Sequence, residues 1–65
     1  MYKKYAAIRD EQNLTDRKVA IRAGISPATM YDWRHRSEND EKACMHLSTM
    51  KKVADVLGVT IEAFL

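Results

Sequence analysis

Apolar residues recur along the chain at helical spacing, and short stop signals divide the pattern into five predicted helices. The first predicted helix runs from Tyr2 to about Gln12, with Tyr5 and Ile8 one turn apart on its apolar side. Asn13 follows it, and because asparagine tolerates the left-handed conformation that ends a helix, we expect a turn there. The pattern therefore predicts an all-α chain.

A second, shorter helix is predicted from Asp16 to Ala23. Thr15 is placed to cap its N-terminus, the charge of Asp16 suits that end of the helix dipole, and Gly24 supplies the stop. Its inward face is predicted to hold Val19, Ala20 and Ala23.

A third helix is predicted from Pro27 to about His35. Ser26 and Pro27 together form a start signal, because serine caps a helix and proline at the first position loses no hydrogen bond. Met30 and Trp33 are three residues apart and are expected to face inward. That orientation leaves an outward set of Ala28, Thr29, Tyr31 and Asp32.

Residues 36 to 46 show no strong apolar periodicity and are predicted to form an exposed connection with room for a short helical turn. A fourth helix is then predicted behind a Ser48 or Thr49 cap, ending at Gly58. Its apolar positions are Leu47, Met50, Val53, Ala54 and Leu57.

A last short helix is predicted after Thr60, which is expected to cap it. Its apolar residues are Ile61, Phe64 and Leu65. Two arrangements follow from the pattern, because this apolar side either packs on the first helix or is shared with another subunit.

Length and composition limit the protein to one domain, residues 1 to 65. Hydrophobic residues make up 46% and charged residues 31% of the chain, with two glycines and one proline, which is typical of a compact helical domain. The net charge of +2 does not by itself indicate a polyanionic partner. No signal peptide or membrane span is visible, so we expect a soluble protein of the cytoplasm, bacterial or of an infected host.

Neither a metal centre nor a catalytic site is predicted. Cys44 is the only cysteine, so it has no internal disulfide partner, and packing has to stabilise the fold. Together with His35 and His46 it makes three candidate ligands in an exposed segment, fewer than a structural zinc site needs. No third catalytic group or pocket accompanies them, so we predict no enzyme activity, cofactor or small-molecule substrate.

The most specific pattern spans Asp16 to Arg36, where two short helices flank a turn at Gly24 and Ala20 is small enough to allow a steep crossing. This spacing resembles the helix-turn-helix of the phage repressor and Cro family, also called the Xre or lambda-repressor-like family. Leu14-Thr15 and Leu57-Gly58-Val59-Thr60 match further segments of that family, so the resemblance covers nearly the whole chain. It implies a lambda-repressor-like bundle of five short helices, a motif at about 16–36 and a recognition helix at about 27–35.

Carried over residue by residue, the resemblance implies two sets of contacts to double-stranded DNA. The base-contacting set is Ser26, Pro27, Ala28, Thr29 and Asp32, with Tyr31 alongside. The phosphate-contacting set that it implies is Arg9, Thr15 and Arg36. We also predict phosphate contacts for Arg17 and Arg34, and the chemistry of Arg34 and Arg36 suits a guanine contact as well.

The chemistry of these side chains suggests how they act. Ala28 and the Thr29 methyl suit a thymine methyl, and Asp32 suits a cytosine amino group. The chain departs from the family in offering no glutamine at these positions and in placing Asp16 where a polar phosphate-binding residue is common. Asp16 and Asp32 would be repelled by phosphates that came close, so tight binding by one subunit is not expected.

Two functional hypotheses follow. The first is a sequence-specific transcriptional regulator, a phage or prophage Cro-like repressor that acts by occupying an operator, with a homodimer on a pseudo-palindromic site. The alternative is a protein-interaction module, antitoxin-like or a regulatory subunit, that keeps the fold and uses the Ile61, Phe64 and Leu65 surface.

Overall fold

The computed structural model describes residues 1–65 and is all-α, as predicted. Its four α-helices are α1 (Tyr2–Glu11), α2 (Asp16–Ala23), α3 (Pro27–Asn39) and α4 (Leu47–Leu57), and a 3-10 turn over Ile61–Phe64 follows them. The fifth predicted helix is thus present as a 3-10 turn.

Left-handed residues end the helices where the sequence predicts a stop. Asn13 has φ 57°, and Gly24 and Gly58 each have φ 71°. Nothing lies within 4 Å of a Cβ built on either glycine, so backbone conformation and not crowding favours glycine there.

Side-chain caps begin the two helices of the predicted motif. The Thr15 hydroxyl accepts from the Lys18 backbone N–H at 3.2 Å, and the Ser26 hydroxyl accepts from that of Ala28 at 3.2 Å. Both predicted caps are confirmed. Pro27 occupies the first turn of α3, where its missing N–H costs nothing.

Three boundaries differ from the prediction. α3 continues four residues past His35 to Asn39, and the Ser37 hydroxyl donates to the Trp33 carbonyl at 2.7 Å within this extension. His46 is the N-cap of α4, so Ser48 and Thr49 lie inside that helix and neither caps it. No side-chain cap begins the 3-10 turn at Thr60 either.

The core forms where the helices meet, and Trp33 lies at its centre together with Tyr5. The Trp33 and Tyr5 rings have centroids 5.1 Å apart, and Phe64 meets the Tyr5 ring edge-on at 5.9 Å. The fully covered side chains include the predicted pair Met30 and Trp33. The buried set is Tyr5, Val19, Ala20, Met30, Trp33, Ala43, Met45, Met50, Val53, Ala54, Leu57 and Phe64.

Burial corrects the sequence-based prediction around the start of α4. Leu47, predicted to face inward, is 62% exposed. Ala43 and Met45 are buried, although they lie in the segment from 36 to 46 that is predicted to be an exposed connection. The Trp33 indole N–H donates to the Ala43 carbonyl at 2.8 Å and holds this connection against the core.

The packing of the elements leaves one side of α3 uncovered. α2 packs against both α3 and α4, and the 3-10 turn packs against α1 and α4. The turn therefore packs on the first helix, one of the two arrangements that the pattern allowed. No helix is long and apolar enough to cross a membrane.

Candidate nucleic-acid interface

The first two turns of α3 present most of the predicted base-contacting residues to solvent. Ser26, Pro27, Ala28, Tyr31 and Asp32 are exposed, and Thr29 is half-buried. The opposite side of the helix is anchored by Met30 and Trp33, which are both fully buried. α3 is thus held by its buried side, and its N-terminal end presents a small surface made mostly of short side chains.

The Tyr31 side chain packs against a neighbouring residue of α3. Its ring lies against the imidazole of His35, with centroids 4.1 Å apart and planes at 47°. His35 Nδ1 in turn lies 3.9 Å from the Glu38 carboxylate. Tyr31 remains 63% exposed, so its ring is supported from one side and accessible from the other.

Asp32 and Arg36 form an ion pair one turn apart on the same side of α3. Arg36 Nε donates to Asp32 Oδ2 at 2.8 Å, and Arg36 Nη2 donates to the Cys44 carbonyl at 3.0 Å. Both side chains stay accessible, at 46% for Arg36 and 65% for Asp32. One of the two Asp32 carboxylate oxygens is therefore already used by Arg36.

A second polar network joins α1 to the start of α2, and Asp16 is its centre. The Tyr2 hydroxyl donates to Asp16 Oδ2 at 2.6 Å, and the Tyr5 hydroxyl donates to Asp16 Oδ1 at 2.7 Å. Arg9 Nη1 donates to the same Oδ1 at 2.7 Å and to the Tyr2 hydroxyl at 3.0 Å. Three side chains of α1 thus meet around one carboxylate of α2.

This network shifts the pKa values of its members. Burial opposes ionisation of Asp16, but hydrogen bonds from Tyr2, Arg9 and Tyr5 outweigh it and lower the pKa of the carboxyl. Burial and the bond to Asp16 raise the pKa of the Tyr2 and Tyr5 phenols. Burial disfavours the charged guanidinium, yet the bonds from Arg9 to Asp16 and Asp10 raise its pKa. Asp16 is held ionised and the tyrosines neutral.

Arg9 has little capacity left for a phosphate. A guanidinium has five N–H donors. Arg9 makes four hydrogen bonds within the chain, to Tyr2, Asp16 and twice to Asp10, and its side chain is only 18% exposed. Its predicted phosphate contact stays a prediction, and in this conformation it would use at most one N–H.

The other predicted phosphate-contacting residues lie in different surroundings. The Thr15 hydroxyl already caps α2, whereas Arg17 is exposed and forms no ion pair. Arg34 lines a cleft of about 400 Å³ between the start of α1 and the second half of α3, together with Lys3 and Glu38. Arg34 and Arg36 thus face different parts of the surface.

Sequence reasoning missed the tyrosine hydroxyls of the Asp16 network. A usable signal was present, because Tyr2, Tyr5 and Arg9 follow the spacing of one helix face. That this face turns toward Asp16 was not predictable from the spacing, since the contact depends on the crossing of α1 with the start of α2.

Two further groups of side chains singled out in the sequence lie apart from the start of α3. No group of three or more histidine, cysteine or carboxylate side chains is gathered into a metal site, and Cys44 is an exposed free thiol. Phe64 is fully buried against Tyr5 and Ile61 is half-buried, so Leu65 is the one exposed residue of the apolar surface that a protein-interaction module would use.

The chain matches a known protein family over nearly its whole length. Residues 6–65 match the family described as the Cro/C1-type HTH DNA-binding domain. No match to the chain was found among the curated proteins or among the solved structures. The matched residues include the whole segment from the Thr15 cap to the end of α3.

Proposed function

The chain belongs to the Cro/C1-type helix-turn-helix DNA-binding family, a non-enzymatic family, and from this we propose that it is a sequence-specific transcriptional regulator. It binds duplex DNA with the start of α3 in the major groove and with α2 across the backbone, the docking geometry of helix-turn-helix proteins. It acts by occupancy, since a protein seated on an operator excludes other proteins from that site. The proposal includes a phage or prophage origin and repression as its outcome.

The observation that carries this proposal is the contrast between the two sides of α3. Met30 and Trp33 are fully buried and fix the helix, while the Ser26 cap, Pro27 and Ala28 at its start are exposed. A major groove is about 12 Å wide and admits one helix when that helix is not covered by the rest of the protein. The start of α3 meets this requirement.

The exposed side chains suggest a limited set of base contacts. Ala28 and the Thr29 methyl suit the methyl group of thymine, and the Thr29 hydroxyl and the Tyr31 hydroxyl are able to hydrogen-bond a base edge. Arg17 and Arg36 supply positive charge for phosphates on either side of the groove. These few contacts support specificity that is spread over two subunits.

Binding-site selection from random duplexes, followed by titration at several salt concentrations, tests the proposal. We expect one enriched motif and an affinity that falls steeply with salt, because phosphate contacts release counterions. Thr29→Val keeps the shape of the side chain and removes its hydroxyl, and we expect it to change the preferred base at one position. Lys52→Ala, on the far helix α4, serves as the control and should leave the motif unchanged. No binding at low salt, or affinity independent of salt, would refute the proposal.

A further inference from the structure

Arg36 is held in place by two hydrogen bonds of different origin. Its Nε donates to the Asp32 carboxylate one turn earlier in α3, and its Nη2 donates to the Cys44 carbonyl in the connection that follows the helix. A guanidinium is planar, so bonds from two of its nitrogens fix both its position and the direction of its remaining donors. Arg36 is thus pre-organised before any ligand binds.

The bonds that hold Arg36 leave most of its donors free. Two of its five N–H groups are used within the chain, which leaves three, including both on Nη1. Arg9 is the opposite case, because four of its donors are used and its side chain is mostly covered. Of these two predicted phosphate-binding arginines, Arg36 is the one with free N–H groups to donate to an anion.

The place of Arg36 along α3 favours a phosphate over a base edge. Base contacts in helix-turn-helix complexes come from the N-terminal residues of the recognition helix. Arg36 is nine residues after Pro27, about 13 Å along the helix axis. A residue so far from the tip of the helix is placed near the edge of the groove, where the backbone lies.

We propose that Asp32 is the positioning residue of Arg36, whose phosphate contact is part of the proposed function, and that Asp32 does not read a cytosine. The inference rests on the proposed function and removes one of the predicted base contacts from it. It assigns the Asp32 carboxylate to the guanidinium that it already binds, and Arg36 offsets the repulsion between Asp32 and DNA. Asp32 then affects affinity for every sequence alike and does not affect which sequence is preferred.

Four proteins in the selection experiment test this assignment: wild type, Asp32→Ala, Arg36→Ala and the double variant. We expect all four to enrich the same motif. Asp32→Ala should change affinity for matched and mismatched duplexes by the same factor. In the Arg36→Ala background it should tighten binding to every duplex alike, because the carboxylate without its guanidinium repels the phosphates. Arg36→Ala should lower the slope of log affinity against log salt by about one.

Two further variants separate charge from position. Lys52→Ala removes one positive charge from α4, as Arg36→Ala does from α3, and should leave the salt slope unchanged. Asp32→Asn keeps an oxygen that accepts from Arg36 and loses the negative charge, so it should bind all duplexes at least as tightly as wild type. Circular dichroism should show native helix content for each variant, because the pair is exposed.

The opposing result is clear. If Asp32→Ala changes the preferred base at one position, in the single or in the double variant, then Asp32 reads a base. That result would overturn the proposal. An unchanged salt slope for Arg36→Ala would overturn the phosphate role. Wild-type protein that binds no duplex at all would instead remove the proposed function, and this inference would fall with it.

Discussion

Asp16 carries a negative charge at the first position of α2, and the effect of that charge depends on what its two oxygens contact. An isolated carboxylate here would repel the DNA backbone that α2 is proposed to cross. Its oxygens instead accept from Tyr2, Tyr5 and Arg9 at 2.6 to 2.7 Å, and its side chain is 19% exposed. Asp16 therefore connects α1 to α2 through hydrogen bonds, and the Arg9 guanidinium balances its negative charge.

Replacement of Asp16 by asparagine should lower the free energy of unfolding at pH 7 by about 1–2 kcal/mol, because hydrogen bonds to a charged group are lost or weakened. The pKa of Asp16 is lowered in the folded protein, so its contribution is present above the unfolded pKa of about 3.9 and is lost as the pH falls through the folded value. The stability gap between wild type and Asp16→Asn should therefore narrow on acidification. Urea unfolding at pH 7 and at about pH 3 measures it.

Asp55→Asn is the matched control for this prediction, because Asp55 is an exposed aspartate of α4 that forms no ion pair. Its loss should change stability little at either pH. A gap for Asp16→Asn that is equally large at both pH values would show that the ionised carboxylate is not the stabilising species.

At the scale of elements, the sequence predicts the helices best where the signal is local. Asn13, Gly24 and Gly58 end helices through their own backbone preferences, and Thr15 and Ser26 begin helices through bonds to residues two or three positions later. Each of these signals acts within one turn of chain. Both ends of α2 and the start of α3 were predictable for this reason.

The elements that sequence reasoning misplaced depend on contacts distant along the chain. α3 continues to Asn39 because no proline or glycine stops it, and the connection after it is fixed by the bond from Trp33 to Ala43, ten residues away. Met45 and Ala43 are too isolated to make a periodic pattern, yet they are buried once the connection folds back. Local periodicity does not report a side chain that is buried by a neighbouring element.

The same reasoning explains how much of the candidate site was predictable. The exposed start of α3 follows from the spacing of Met30 and Trp33, so the predicted recognition surface is on the accessible side. The partners of Arg9 and Arg36 depend on how α1 and the connection cross the motif, which no local pattern encodes. Hydrogen bonds within the folded chain use four donors of Arg9 and two of Arg36, a difference that the sequence alone does not show.

Replacement of Trp33 by phenylalanine tests the role of the connection after α3. The variant loses the indole N–H, leaves the Ala43 carbonyl without its partner and opens a small cavity, at a cost of about 2–4 kcal/mol. Urea unfolding measures the global loss, and amide hydrogen exchange at Ala43, whose N–H donates to the Asp40 carbonyl, should quicken locally.

Tyr31→Phe provides the aromatic control, because Tyr31 is exposed on the other side of α3. It should unfold at nearly the wild-type urea concentration and leave exchange at Ala43 unchanged. Equal stability for Trp33→Phe and wild type would mean that the bond to Ala43 does not hold the connection.

At the scale of the whole molecule, charge and size limit what one copy of the chain achieves on DNA. The net charge is only +2, and Arg9 is largely committed to internal contacts. The backbone measures 26 × 22 × 22 Å along its principal axes. One copy thus covers about one half-site, and we expect affinity and specificity to come from two copies.

The spacing of half-sites tests the proposed paired binding directly. Half-sites one helical turn apart are separated by about 34 Å along one face of the duplex. Because side chains extend the 26 Å backbone dimension at both ends, two copies at that spacing are able to touch. We expect a duplex with two half-sites 10 base pairs apart, a spacing of about one turn, to be bound more tightly and with a steeper isotherm than a single half-site.

A duplex with the same half-sites about 15 base pairs apart is the matched control, because half a turn more places the two copies on opposite faces and prevents contact. Fluorescence anisotropy on the three duplexes at one salt concentration should give cooperative binding only for the in-phase site. Contact between two bound copies adds binding free energy to that of each copy on DNA. The two copies are able to touch only when their half-sites lie on the same face of the duplex. Equal affinity per half-site on all three duplexes would show that the chain binds as independent monomers, and the pseudo-palindromic operator would have to be abandoned.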